Sequence, residues 1–246
     1  MEVLYQIGEY IILIFQAFRK PDKGHVFRRQ LFLDFKRLGT DSIGIVAIIS
    51  LFIGGIIAIQ MAYNIDSPFI PKSTIGFSTR QMLVLEISPT IISLILAGKV
   101  GSRIASEIGT MRITEQIDAL RVMGINPANY LILPKITAAV IYFPVLIIFS
   151  MFLGIFGGWI AGTFTGLVPS SDYIIGVREW FEPFTLTYAM IKTVVFAFII
   201  TSVSAYKGYT VKGGSVEVGQ ASTEAVVASS ILIIFFDLIL TQMLLV

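Results

Sequence analysis

Residues 43–63, IGIVAIISLFIGGIIAIQMAY, contain no charged side chain. At 1.5 Å of rise per residue, about 20 apolar residues cross the ~30 Å hydrocarbon core of a bilayer. A stretch this long and this apolar reads as a membrane-spanning helix. The rest of the chain agrees with it. Of 246 residues, 55% are hydrophobic and only 14% charged, and the mean hydropathy is +0.84. Soluble domains carry roughly 25% charged residues, so a water-soluble fold of this length would lack the polar surface to cover itself. A soluble enzyme, a nucleic-acid binder and a disordered chain are poor readings.

Working outward, residues 82–100 form a second span that carries Glu86 and Pro89. The charge-free stretch beginning at Thr137 holds a third, at 137–168. Residues 184–206, interrupted only by Lys192, and 225–246, interrupted only by Asp237, complete a set of five. The first forty residues differ. The run from Val3 is short and contains Glu9, which suits a helix lying in the interface. Residues 25–38 place Phe27, Leu31, Phe35 and Leu38 on one face, with Arg28, Arg29, Lys36 and Arg37 elsewhere. That pattern is a basic amphipathic helix, resting either on anionic headgroups or on protein.

Orientation follows from the bias of Lys and Arg between loops. One side carries the seven basic residues from Arg19 to Arg37, then Lys99, Arg103, Arg112, Arg121, Lys135, Lys207 and Lys212. The other has only Lys72, Arg80 and Arg178. The expectation is a cytoplasmic N-terminus and an external C-terminus. Two spans also carry small residues every fourth position: Ser93, Ala97, Gly101, Ala105 and Gly109 in the second, and Gly154, Gly158, Gly162 and Gly166 in the third. Such stripes let backbones approach where lipid gives helices no hydrophobic drive to associate. In the third span, packing within the chain is the preferred reading over a subunit interface.

The usual enzymatic apparatus is missing. No phosphate-binding loop is present; the nearest string, residues 208–215 (GYTVKGGS), has Gly214 where the lysine belongs. There is no cysteine, a single histidine (His25) and one aspartate inside a span. That leaves no base for a membrane hydrolase, no paired aspartates and no metal cluster, so no cofactor is expected on this chain. What remains is polar material at membrane depth: Gln60, Glu86, Lys192 and Asp237. An ionised group at the midplane costs ~2.5–3.5 kcal/mol. These groups should therefore share a cavity or pair, as Lys192 with Asp237 or with Glu86. One functional reading from these residues alone is an ion-coupled secondary transporter that relays protons through Glu86, Lys192 and Asp237.

Residues 97–127, AGKVGSRIASEIGTMRITEQIDALRVMGINP, follow the second span. Thr110 or Thr114 can cap a helix whose early turn holds Glu115 and Asp118. Ile113, Ile117 and Leu120 make its apolar face, Gly124 can close it in a left-handed conformation, and Asn126-Pro127 prevents continuation. The result is a short amphipathic helix between two spans, a docking element or a helix lying on headgroups.

At these residues the chain resembles the MlaE family of ABC-transporter permeases, which serve bacterial phospholipid trafficking and have plastid relatives. The matching runs are Gly98-Lys99-Val100-Gly101-Ser102, Glu107-Ile108-Gly109-Thr110-Met111-Arg112, Thr114-Glu115-Gln116 and Met123-Gly124-Ile125-Asn126-Pro127. Further matches are Phe52-Ile53-Gly54 with Gln60, Lys192 within IKTVVFA at 191–197, Gly208-Tyr209, and Ser229-Ser230 followed by Asp237. The family often has Arg before the glutamate and Gly before the proline; Leu85 and Ser88 stand there in this chain.

The resemblance implies an all-α integral membrane protein in one permease domain, 1–246. It has five transmembrane helices, N-terminal interfacial helices (1–40) and a cytoplasmic coupling helix (106–124). It implies a bacterial inner-membrane homodimer, a separate cytoplasmic ATPase that binds the ATP, and a periplasmic MCE-domain lipid carrier as partner. Phospholipid would occupy a cavity to which Gln60, Glu86, Lys192 and Asp237 contribute, with Ile57, Met61 and Tyr63 as acyl-chain contacts. Glu107, Thr110, Arg112, Glu115, Asp118 and Arg121 would serve ATPase coupling.

Overall fold

The computed structural model describes residues 2–18, 24–65 and 69–245. Every regular element among them is helical: α1 (Glu2–Ala17), α2 (Gly24–Asp34), α3 (Asp41–Asn64), α4 (Ser73–Met82), α5 (Ile92–Leu96), α6 (Ser102–Ile113), α7 (Gln116–Val122), α8 (Pro127–Phe164), α9 (Ser170–Arg178), α10 (Pro183–Tyr209) and α11 (Ser215–Leu245). Three π-helical segments, Phe35–Thr40, Leu83–Ile91 and Ala97–Gly101, join some of these without a break. Among the described residues five continuous helices are long and apolar enough to cross a membrane: Gly24–Asn64, Ser73–Ile113, Pro127–Phe164, Pro183–Tyr209 and Ser215–Leu245.

Four of these differ from the sequence expectation by nine or more residues at one end; the third starts at Pro127 and the fifth at Ser215, each ten residues early, and the first two differ further. The basic amphipathic segment continues through a π turn directly into the first span. Its apolar residues Phe27, Leu31, Phe35 and Leu38 point inward, whereas Arg28, Arg29, Phe32 and Leu33 are exposed. The second span extends to Ile113 and contains Pro89 in its first π segment. Proline has no N–H and its ring collides with the carbonyl four residues back; the wider i→i+5 spacing of a π turn accommodates that defect inside a helix.

Contacts sort the chain into two compact units. One comprises Ser42–Ser93 and Pro144–Thr193. Here α3 and α8 meet through glycines: a Cβ added at Gly54 would lie 1.8 Å from the Gly154 carbonyl oxygen, and one at Gly157 would lie 2.1 Å from that of Leu51. This is packing within the chain, as preferred for the third span. Beside it the Ser50 hydroxyl donates to Ser150 Oγ (2.8 Å), which donates to Ser88 Oγ (3.3 Å), so three buried hydroxyls tie the helices together. α4 packs on α9, and the buried Arg80 guanidinium donates to the carbonyls of Val177, Glu179 and Trp180, satisfying groups that the end of α9 leaves without helical partners.

The other unit comprises Met1–Asp41, Leu94–Phe143 and Val194–Val246. The small-residue stripe after Ala97 packs here, with Gly101 against Ile200 and Ser204 of α10, and Gly109 against Val211 and Val218. α1 lies on α10 through a Tyr10–Ser202 hydroxyl hydrogen bond (2.8 Å) and an edge-on Tyr10–Tyr206 contact. Its last carbonyls, of Gln16 and Ala17, accept from the side-chain amides of Asn126 and Asn129. Lys135, at 1% exposure, donates to Asp34 Oδ1 (3.2 Å) and Glu107 Oε2 (2.9 Å), and Arg37 reaches the other oxygen of Glu107 at 3.4 Å. This network binds α2, α6 and α8.

Candidate functional site

Glu86 and Lys192 are brought together by the π segment Leu83–Ile91 and by α10. Lys192 Nζ donates to Glu86 Oε1 at 2.8 Å, and Tyr188, one turn before Lys192, donates its hydroxyl to the same oxygen at 3.3 Å. The ammonium also lies 4.6 Å from the centroid of the Tyr188 ring, a cation–π contact strengthened by desolvation. Thr90 donates to Oε2 at 3.4 Å. The pair is asymmetric: the Lys192 side chain is fully buried and that of Glu86 is 43% exposed. The pairing of Lys192 with Glu86, one of those open on sequence grounds, is present.

That asymmetry predicts unequal mutants. Lys192→Met leaves a carboxylate that solvent can reach, whereas Glu86→Leu leaves an ammonium in the interior without its carboxylate. Stripping the partner from a buried charge costs more than 1–3 kcal/mol. Glu86→Leu is therefore expected to lower stability by about 2 kcal/mol more than Lys192→Met, read from thermal unfolding in detergent. Equal losses would show that the burial difference carries no energy.

Gln60 and Tyr63 are exposed on α3. Ile57 is buried in the packing of α3, and Met61 sits against the apolar cluster of Ala58, Ala62, Ile75, Val168 and Tyr173. Asp237 is half-buried on α11, in the other unit, where its carbonyl accepts from Thr241.

The amphipathic connection forms a second site. α6 ends at Ile113, and the helix resumes at Gln116 after Glu115 adopts a left-handed conformation (φ 59°). Thr114 returns its hydroxyl to the Thr110 carbonyl (2.7 Å) and accepts from Gln116, so neither threonine caps α7 with its side chain. The far end follows expectation. Gly124 has φ +76°, its N–H donates to Arg121 O (2.9 Å), and Ile125 N–H reaches Leu120 O (3.0 Å). This 5→2 and 6→1 pair is a Schellman closure. Asn126 Oδ1 then accepts from the N–H groups of Ala128 and Asn129 at the start of α8, with Pro127 in the first helical position.

The six residues expected to couple divide accordingly. Glu107 belongs to the Lys135 network. Arg112 and Asp118 pair at 2.9 Å, and Arg121 reaches Asp118 (3.5 Å) and the Tyr209 hydroxyl (2.8 Å). Arg112, Asp118 and Arg121 hold α7 in place. Thr110 and Glu115 are exposed. Sequence reasoning missed the rest of the outward face, which is Gln116, Ala119, Val122 and Met123; Val122 is 90% exposed. The signal was available, because once Ile117 and Leu120 are assigned inward, helical spacing turns Val122 and Met123 outward.

The profile of Permease MlaE matches residues 31–243. A probable ABC transporter permease protein of Rickettsia prowazekii is 36% identical over 237 residues, covering 96% of this chain and 91% of that protein. The intermembrane phospholipid transport system permease protein MlaE of Haemophilus influenzae is 32% identical, over 83% of this chain and 78% of its own. The chloroplastic protein TRIGALACTOSYLDIACYLGLYCEROL 1 of Arabidopsis thaliana is 32% identical, over 89% of this chain and 63% of its own. With matches of this extent to five apolar helices and an amphipathic connection, the chain belongs to the MlaE family of ABC-transporter permeases.

Proposed function

We propose that this permease moves phospholipid between the bacterial inner membrane and a periplasmic MCE-type lipid carrier, as a homodimer driven by a separate cytoplasmic ATPase. The observation that carries the reading is the Glu86–Lys192 pair: an ammonium wholly buried at span depth, and a carboxylate that keeps an open edge. A charged group is retained at such depth for contact with a pathway, and the open carboxylate edge fits a lipid headgroup. Gln60 and Tyr63 present exposed side chains toward the same cargo, and Asp237 supplies a further polar position. No cofactor is assigned to this chain; ATP belongs to the partner.

Homodimerisation is supported by α11, since 11% of its most apolar window is buried against 61% for α10. The excess of Lys and Arg around α2, α6 and α7 supports a cytoplasmic N-terminus and an external C-terminus. On this orientation α7 is the coupling helix, with Glu115, Gln116, Ala119 and Val122 turned to the ATPase, and with Glu107, Arg112, Asp118 and Arg121 passing its displacement to α2, α8 and α10. Thr110 stands at the last exposed turn of α6. The relative from Haemophilus, named for intermembrane phospholipid transport, supports the cargo class.

The test is purification from the native membrane, identification of the accompanying chains, and lipid transfer between vesicles with and without ATP. Transfer that needs ATP and a co-purifying ATPase is expected. Glu115→Lys should abolish ATPase co-purification while leaving membrane insertion unchanged. Transfer that proceeds without ATP in an ion gradient would instead support an ion-coupled transporter, and unaltered ATPase retention in Glu115→Lys would remove α7 from the interface.

A further inference from the structure

A cavity of about 360 Å³ lies between α2, α7 and the start of α8, with walls of Val26, Phe27, Leu120, Met123, Tyr130 and Pro134. Its volume is in the range of small-ligand sites, and its lining is apolar with a few polar groups, the usual composition of such sites. Of the polar groups, the Asn126 and Asn129 amides already donate to the last carbonyls of α1. Gln30 and the Tyr130 hydroxyl complete the set, and among the described residues no charged side chain lines the space. That lining suits an apolar body.

The outer side of α2 says what else that molecule carries. Phe32 and Leu33 are exposed there together with Arg28 and Arg29. An apolar strip beside cations is the surface of a helix that sits at headgroup level. At 3.6 residues per turn, Arg29 falls about 60° around the helix from Val26, on the exposed side of the cavity-facing residues Val26, Phe27 and Gln30. A cation on the exposed face of the same helix and a hydrocarbon interior fit one chemistry: an anionic head on an acyl tail.

We infer that this cavity is a binding site for an acyl chain of an anionic phospholipid drawn from the adjoining leaflet, separate from the Glu86–Lys192 site. The tail would contact α2 on one wall and Leu120 and Met123 of α7 on the other. Its presence stiffens the link between the lipid-facing helix and the connection that turns toward the ATPase, so coupling responds to the anionic lipid content of the leaflet. The site itself rests on the membrane character of the chain, and only its effect on coupling rests on the transport reading.

The full chain with its co-purifying subunits is reconstituted with phosphatidylglycerol bearing a photoreactive group in one acyl chain, and adducts are mapped by peptide mass spectrometry. A parallel arm uses photoreactive palmitic acid. Phosphatidylglycerol adducts are expected on Met123 and Tyr130. Val26→Trp, which fills the space, should abolish them, and Arg29→Gln should weaken them. Gln30→Leu, which keeps the interior apolar, should retain them. Labelling of the exposed α3 residues Ile48 and Phe52 reports bilayer contact and correct folding in every variant. The inference is overturned by adducts on Met123 and Tyr130 no denser than those on Ile48, or by adducts that persist in Val26→Trp. Adducts from palmitic acid alone would also overturn it, as would adducts lost whenever the ATPase is present, which would mean that a partner side chain fills the cavity. Failure of lipid transfer would overturn the transport reading and leave these adducts unaffected.

Discussion

Lys135→Met is expected to lower the stability of the protein by about 3–5 kcal/mol, the usual result of removing one partner from a buried ion pair. The lysine is 1% exposed and neutralises two carboxylates. Asp34 is also 1% exposed, and its second oxygen, Oδ2, is buried without a hydrogen-bond partner, so it has no alternative donor among the described residues. Glu107 fares better, with a side chain 29% exposed and Arg37 within reach. The double variant Asp34→Leu with Lys135→Met should therefore recover more than half of the loss, because an apolar replacement removes both desolvation penalties together. Thermal or denaturant unfolding in detergent, run as a double-mutant cycle, measures this. Additive losses in the double variant would show that the ion pair is not the source of the effect.

Gly54→Ala is expected to be comparably damaging for a different reason. The added methyl group would overlap a backbone carbonyl of α8, which cannot swing aside as a side chain can. Relief requires the two helices to separate along their contact, and that breaks the Ser50–Ser150 hydrogen bond one turn away. Overpacking costs typically 1–3 kcal/mol and occasionally more; a backbone clash on this scale belongs at or above about 3 kcal/mol. Gly44, on the same helix, has nothing within 4 Å of its added Cβ. Gly44→Ala should therefore match the parent in monodisperse yield and melting temperature, with Gly54→Ala well below both. Equal behaviour of the two variants would refute the close α3–α8 approach.

What could be read from the sequence was what period and composition encode. The five apolar helices stood out because hydrophobic length is a local property. The closure at Gly124 was equally local, needing only a glycine followed by Asn-Pro. The small-residue stripe of the third span announced the close packing now seen at Gly154, because lipid leaves few other uses for repeated glycine. Three features were not legible. Lys135 counted as a loop cation, yet it is buried by carboxylates from Asp34 and Glu107, a pairing across 101 and 28 positions that no local pattern records. The interruption at Thr114–Glu115 arises from a left-handed glutamate, a conformation that glutamate does not advertise. At the candidate site, Glu86 and Lys192 were visible as costly residues, but the geometry of their contact and the depth of each required the fold.

The π turn around Pro89 bears on how the chain tolerates insertion and loss of residues. In a regular α-helix, deleting one residue rotates everything beyond it by about 100°. Within α3 such a change would turn Gly54 away from Gly154 and put a bulkier side chain at the point of closest approach. A π turn already holds one residue more than an α-helical turn of the same length, so the segment Leu83–Ile91 can shed a residue by reverting to α geometry. A one-residue deletion in the second span would thus be absorbed there, while α3 must keep its count.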